Sequence, residues 1–533
     1  MQPNQPASTH SVTTAPARRS AATEDIDAAR VSPDLIAALV LVRLLLPLLT
    51  LHPAWDFHRD EMLYFAMGDH LDLLRMQFPP MIAVIAATGH ALFGESVLAA
   101  RVPAAFGGAA LTAIVLLLVR RLRGGRAAVL LAWLALLAAP VFMRPSVLMH
   151  PVIFDQVWST LAIAALTLAA HEREPRWWLL VGAALGLGAL TKFSIAFIGV
   201  SVAAVALLDG ELRSQLRGRW PWVALLLATV LAVPSISGQM VHSWPFVQQM
   251  QALRSGQLEQ VSATGFLREQ PMLLSAALVC AIPGFLAALR STARDRVPVV
   301  AALVMLALML VMHGKGYYAA PVYPVVIAIG ALELERMSRT RRWLTPVAGL
   351  TMAAGSAVLW PVGVPVFGPQ RMIAYHTSIG LGQSAKTNLG EPLELSQDYA
   401  DMLGWRTLAD SVGAVVQRLP AASRADITLI ASNYGEAGAL AFYRDRARIP
   451  YPRSTAGDFW AWGPGPTSGN DVIVTGAASV GDILRTSYDT VEVASTTDNP
   501  LGVPEERKVF IYHARGARAT LATMWTKLGP NWN

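Results

Sequence analysis

Residues 34–61 read DLIAALVLVRLLLPLLTLHPAWDFHRDE. The stretch 34–51 is an apolar run long enough to cross a bilayer, which takes roughly 17–25 mostly apolar residues. Phe57-His58-Arg59-Asp60-Glu61 then sets a carboxylate pair just beyond that run. Further apolar runs occupy 97–119, 127–143, 152–170, 177–190, 193–208, 221–237, 271–289, 297–312, 319–335 and 343–361. The fold class this predicts is a polytopic α-helical membrane protein of eleven spans. The short runs 177–190 and 193–208 also fit a re-entrant pair.

Composition agrees. Of 533 residues, 54% are hydrophobic and 15% charged, against about 25% charged in soluble domains. The net charge of +7 does not indicate nucleic acid, because the arginines cluster in short loops between apolar runs. One cysteine, Cys280, excludes an intramolecular disulfide and a cysteine metal cluster. Residues 1–33, rich in Ala, Ser, Thr and Pro, read as a disordered tail.

The arginines also orient the chain. Arg120, Arg121, Arg123 and Arg126, then Arg173 and Arg176, then Arg213, Arg217 and Arg219, then Arg290, Arg294 and Arg296, then Arg336, Arg339, Arg341 and Arg342 fill every second loop. Eleven spans put all five clusters on one side, which the positive-inside bias assigns to the cytoplasm. The N-terminus is then cytoplasmic. The first outer loop, 52–96, and everything past 361 are extracytoplasmic, with Arg144 a single stray on that side. Past 361 the spans give way to strand-like pieces at 427–432, 471–475 and 508–512, with helical stretches at 405–418 and 435–443. Residues 362–533 therefore read as a soluble α/β domain following a membrane domain over 34–361.

Several polar residues gather on the predicted outer side. Asp60 and Glu61 precede an amphipathic stretch, Met62 to Leu74, expected on the membrane surface, and the turn Phe78-Pro79-Pro80. Asp155 opens a span where a carboxylate is costly, of order 2.5–3.5 kcal/mol at a helix centre. Lys192 divides two apolar runs against the positive-inside bias, and so fits a phosphate as well as snorkelling. Lys315, Tyr317 and Tyr318 lie in Gly314-Lys315-Gly316-Tyr317-Tyr318, which suits an aromatic belt or a lipid phosphate. Arg101, opening the second run, has the same two readings. Trp460 and Trp462 read more readily as core than as a sugar platform. No metal-ligand spacing of weight is present.

These pieces resemble bacterial membrane glycosyltransferases of family 39, in the GT-C superfamily that includes protein mannosyltransferases and the lipid A aminoarabinose transferase. Arg59-Asp60-Glu61 with Tyr64 is similar to the family's first-loop acidic motif. Ala100-Arg101-Val102-Pro103, Phe154-Asp155-Gln156, Thr191-Lys192-Phe193-Ser194 and Gly314-Lys315-Gly316-Tyr317-Tyr318 with Pro321 and Pro324 follow the family's order. Ser432-Asn433-Tyr434-Gly435-Glu436-Ala437-Gly438 resembles a soluble-domain motif of bacterial members. One departure stands out: Gln77 and Phe78 occupy the positions where members commonly carry an acidic residue and a His or Lys.

The resemblance implies an enzyme of the inner (plasma) membrane. It moves a sugar from a polyprenyl-phosphate donor to an acceptor hydroxyl on a lipid, glycan or protein, with inversion, using no metal and no cofactor. Asp60 would be the general base, with Asp155 orienting the acceptor or sharing that role and Glu61 holding the loop. Lys192, with Lys315, Arg59, Arg101, Tyr317 and Tyr318, would hold the donor phosphate. The rival readings are a lipid-carrier flippase or transporter, and a non-catalytic assembly protein.

Overall fold

A computed structural model describes residues 31–256, 258, 261–290, 293–382 and 385–531. The expected tail 1–33 lies, but for its last three residues, outside them.

The first helix, α1 (Pro33–Thr50), starts where Ser32 Oγ accepts from the Leu35 N–H and Pro33 takes the first turn. The loop after it is folded. It carries α2 (Arg59–Asp69) and a short apolar helix, α3 (Met81–Phe93). The bundle continues with α4 (Leu98–Arg121), α5 (Arg126–Ala138), α6 (Pro151–Glu172), α7 (Trp177–Ala189), α8 (Ile195–Leu208) and α9 (Trp220–Val241). It ends with α10 (Ala263–Leu274), α11 (Leu278–Ala287), α12 (Ala293–Val311), α13 (Tyr323–Ser338) and α14 (Leu344–Gly363).

By length and composition, seven helical stretches among the described residues can cross a membrane, eight if one bent pair counts as a span. Three shorter apolar helices, α3, α7 and α8, accompany them. The chain is a multi-pass membrane protein. The expected run 127–143 is the bent pair, turning by 86° where α5 gives way to Pro140–Ser146. Pro140 has no N–H to continue the helix. The carbonyls freed beyond the bend are met from other helices. Arg43 of α1 donates to Phe142 O at 2.7 Å and to Ser146 Oγ at 2.7 Å. Gln156 of α6 donates to Val141 O at 3.0 Å.

Small residues set the close approaches. A Cβ on Gly182 of α7 would overlap the backbone of Ala224 in α9, and one on Gly330 of α13 would overlap the Cys280 carbonyl in α11. Dispersion between touching backbones holds such helices together where lipid supplies no hydrophobic drive.

After α14 the chain forms a four-stranded sheet ordered β1-β2-β4-β3, from β1 (Thr428–Ala431), β2 (Asp471–Gly476), β3 (Tyr488–Asp498) and β4 (Lys508–Ala517). β1 and β2 are parallel and the other pairs antiparallel. Two helices, α15 (Trp405–Arg418) and α16 (Tyr434–Phe442), share one apolar core with α2 and the start of α4. The expected surface helix over 62–74 is therefore corrected. Met62, Tyr64, Phe65, Ala66 and Met67 are buried because α16 covers α2, and only the following turn exposes apolar side chains, Leu71, Leu73 and Leu74.

Candidate active site

The site is built on the first turn of α2. His58 caps it: Nδ1 accepts from the Asp60 N–H at 3.1 Å, and the Glu61 carboxylate accepts from the His58 N–H at 2.8 Å. This reciprocal cap fixes the turn. Its two adjacent carboxylates then part company. Glu61 is 0% exposed, accepts from the Met149 N–H at 2.8 Å, and is ion-paired with Arg101, itself 2% exposed. Arg101 also donates to the Asp56 carbonyl at 2.8 Å. Both expected site residues thus lie behind Asp60, tying α2 to α4 and to the turn before α6.

Asp60 faces the other way. Its Oδ1 accepts from the Tyr434 hydroxyl at 2.9 Å, and its Oδ2 lies 3.5 Å from His150 Nε2. His150 Nδ1 accepts from the Val152 N–H at 3.2 Å, so the neutral ring carries its proton on Nε2, toward Asp60. Burial pushes the Asp60 carboxyl up, but His58, His150 and Arg59 outweigh it and hold it below the usual carboxylate range. Burial lowers His58 to about 4, so its ring is neutral at pH 7. Its Nε2 stands 3.6 Å from Asp401, whose carboxyl burial lifts to about 7.

Arg59 turns toward the C-terminal α/β part. It lies 3.7 Å from Asp401 and 3.5 Å from Glu505, with its guanidinium 4.6 Å from the Tyr434 ring centre.

Two distant motifs meet on the bundle side. Lys192, on the turn between α7 and α8, sets Nζ 4.9 Å from the Tyr318 ring centre and 5.7 Å from that of Tyr317. The two tyrosines meet edge to face at 4.7 Å. Asp155 Oδ2 accepts from Ser194 Oγ at 3.1 Å, while its Oδ1 is buried without a hydrogen bond, and Lys192 is its charged neighbour. Lys315 is a charged neighbour of Glu269, whose carboxylate accepts from the Gly316 N–H. Gln77 is buried, its carbonyl accepting from Gln239 Nε2 and its side-chain oxygen without a hydrogen bond. Among the described residues no group of three or more His, Cys, Asp and Glu is arranged to hold a metal ion.

Three features escaped the sequence reading. His150 carries no motif of its own in the sequence. Tyr434 sits in a motif to which no role was given. Arg144, taken as a stray, donates from Nε to Asp398 at 3.1 Å and covers the Tyr399 ring at 4.1 Å. The Asp398 side chain is 52% exposed. Arg144 and His58 hold it below the ordinary carboxylate range against burial, which raises it.

Residues 77–237 match the family described as dolichyl-phosphate-mannose-protein mannosyltransferase. ArnT from Cupriavidus metallidurans in the apo state superposes with a TM-score of 0.58 at 15% identity, over 92% of this chain and 98% of that one. The same protein bound to undecaprenyl phosphate gives 0.58 at 15%, over 90% and 97%. No curated protein is significantly similar in sequence. The chain shares the fold of these structures, and its residues 77–237 resemble the matched family.

Proposed function

We propose that this protein transfers a sugar from a polyprenyl-phosphate donor to an acceptor hydroxyl, with inversion, on the extracytoplasmic face of the inner membrane. One observation carries the reading: Asp60, ionised and 23% exposed, is the carboxylate of the capped turn left open to a substrate. Asp60 Oδ2 takes the proton of the acceptor hydroxyl. The acceptor oxygen attacks the anomeric carbon, and the bond to the phosphate oxygen breaks with its electron pair leaving on the phosphate. Lys192, with Tyr317 and Tyr318 around it, meets that growing charge. Gln77 and Phe78 are uncharged, so the phosphate relies on Lys192. Asp155 orients the acceptor beside it. Lys315 lies at the edge of this group, and Arg59, Glu61 and Arg101 support the turn that aims Asp60. The five basic loops support a site end outside and an N-terminus in the cytoplasm. The matched family and the undecaprenyl phosphate in the ArnT structure support the donor class.

The test is transfer in proteoliposomes from a panel of radiolabelled polyprenyl-phosphate sugars to envelope acceptors. Asp60→Asn is expected to lower transfer about 10²–10⁴-fold with the protein still folded. Transfer at the wild-type rate by that variant would sink the reading.

A further inference from the structure

We infer that Tyr434, from the C-terminal α/β part, is a positioning residue for this reaction: it pins Oδ1 of Asp60 and leaves Oδ2 to receive the acceptor proton. The inference rests on the proposed transferase function and extends it to a residue 374 positions away in sequence.

The hydroxyl is placed by helix docking. Asn433 caps α16, accepting from the Glu436 N–H at 2.9 Å, and its amide donates to Glu436 at 3.1 Å and to Glu506 at 2.8 Å. Gly435 and Gly438 then let α16 lie against α2. A Cβ on Gly435 would stand 3.3 Å from Arg59 Cβ, and one on Gly438 2.9 Å from the backbone of Met62 and Leu63. The Tyr434 ring lies under the Arg59 guanidinium. With ring and helix both fixed, its O–H points at Asp60 Oδ1. A carboxylate with one oxygen engaged cannot rotate freely, so Oδ2 keeps one direction, toward His150. Tyr443, at the C-terminal end of α16, donates to Asp56 at 2.7 Å. It joins the same two parts without touching Asp60.

The full chain in proteoliposomes tests this, as wild type, Tyr434→Phe, Tyr443→Phe, Asp60→Asn and the Tyr434→Phe/Asp60→Asn double variant, with the donor that wild type uses. Tyr434→Phe keeps the ring under Arg59. It is expected to lower kcat about 10- to 100-fold, the range for a hydrogen bond to a charged group, with the donor KM within about twofold. The acid limb of its pH profile moves to higher pH, because the lost bond favoured ionised Asp60. Tyr443→Phe keeps the wild-type kcat and profile. Thermal midpoints of the Asp60 and Tyr434 variants are non-additive, as for two groups sharing one bond. Wild-type kcat and pH profile in Tyr434→Phe would overturn the inference, as would an equal kcat loss in Tyr443→Phe. If wild type transfers no sugar, the transferase reading fails. The midpoints then decide separately: additivity refutes the bond that the inference needs.

Discussion

The apolar bundle and the junction between α2 and the C-terminal α/β part are held by different physics. In the bundle, glycines bring backbones into contact, as at Gly182 on Ala224 and Gly330 on Cys280. Charges there are few and answer broken backbone, as Arg43 does. At the junction, charged and polar groups of the first loop reach across more than 300 residues of sequence: Asp56 to Tyr443, Asp60 to Tyr434, Arg59 to Asp401, Asp69 to Arg444. A bundle built on shape tolerates little change of volume. A junction built on charge depends on pH and on single proton positions, which is what a reaction that moves a proton requires.

The largest effect expected on this contrast is at Glu61. Glu61→Gln leaves Arg101 buried without its counter-ion, and breaking a buried pair from one side costs about 3–5 kcal/mol. The thermal midpoint of the purified protein should fall steeply, whereas Asp60→Asn, one residue away, should lower it far less, by the weakened bond to Tyr434 alone. Equal midpoints for the two variants would erase the distinction between the carboxylate that holds the fold and the one proposed to react.

A second, intermediate effect concerns pH. Burial lifts Glu506 to about 8 and Asp401 to about 7, both above their values in an unfolded chain. A carboxyl raised by folding stabilises the protein while it holds its proton. That contribution is complete below the unfolded pKa and is lost as pH rises through the folded one. Above about pH 6.5, past the range where the lowered His58 adds stability with rising pH, thermal stability should therefore decline to about pH 8, and Glu506→Gln should flatten the decline. A midpoint that rises over that interval, or a slope unaltered by Glu506→Gln, would contradict the assignment.

The smallest effect is expected where the junction reaches solvent. Arg444 and Asp69 lie 3.4 Å apart but are 37% and 34% exposed, and such pairs are worth about 0–1 kcal/mol. Arg444→Ala should leave midpoint and transfer close to wild type. A large loss would show that the rim of the junction matters as much as its centre.

The bundle was the legible half. Runs of 18 or more apolar residues declare themselves, and the helices at 33–50, 98–121, 151–172, 220–241 and 344–363 fall on expected spans. The bend at Ala139-Pro140 went unread, because an apolar run looks the same straight or broken. In the α/β part, the strands at 428–431, 471–476 and 508–517 and the helices at 405–418 and 434–442 were visible as apolar patterns. β3 was not, since most of its side chains are exposed or half-exposed and polar. At the site, Asp60, Asp155, Lys192, Tyr317 and Tyr318 were read from position and order. Glu61 could not be told from Asp60: adjacent residues on a helix point about 100° apart, and sequence does not say which direction meets a cleft. Tyr434 and His150 were hidden because their meaning lies in a partner that spacing does not reveal.

Arg43 has a consequence for how the chain is made. Its acceptors, Phe142 and Ser146, follow it by 99 and 103 residues. During synthesis the first membrane helix is therefore complete long before its cation has anything to bond. An unpaired arginine near the middle of a lone helix costs about 2.5–3.5 kcal/mol on insertion scales. The first span thus carries this penalty while it stands alone in lipid. The penalty is offset once the bent segment arrives and supplies the acceptors Phe142 and Ser146.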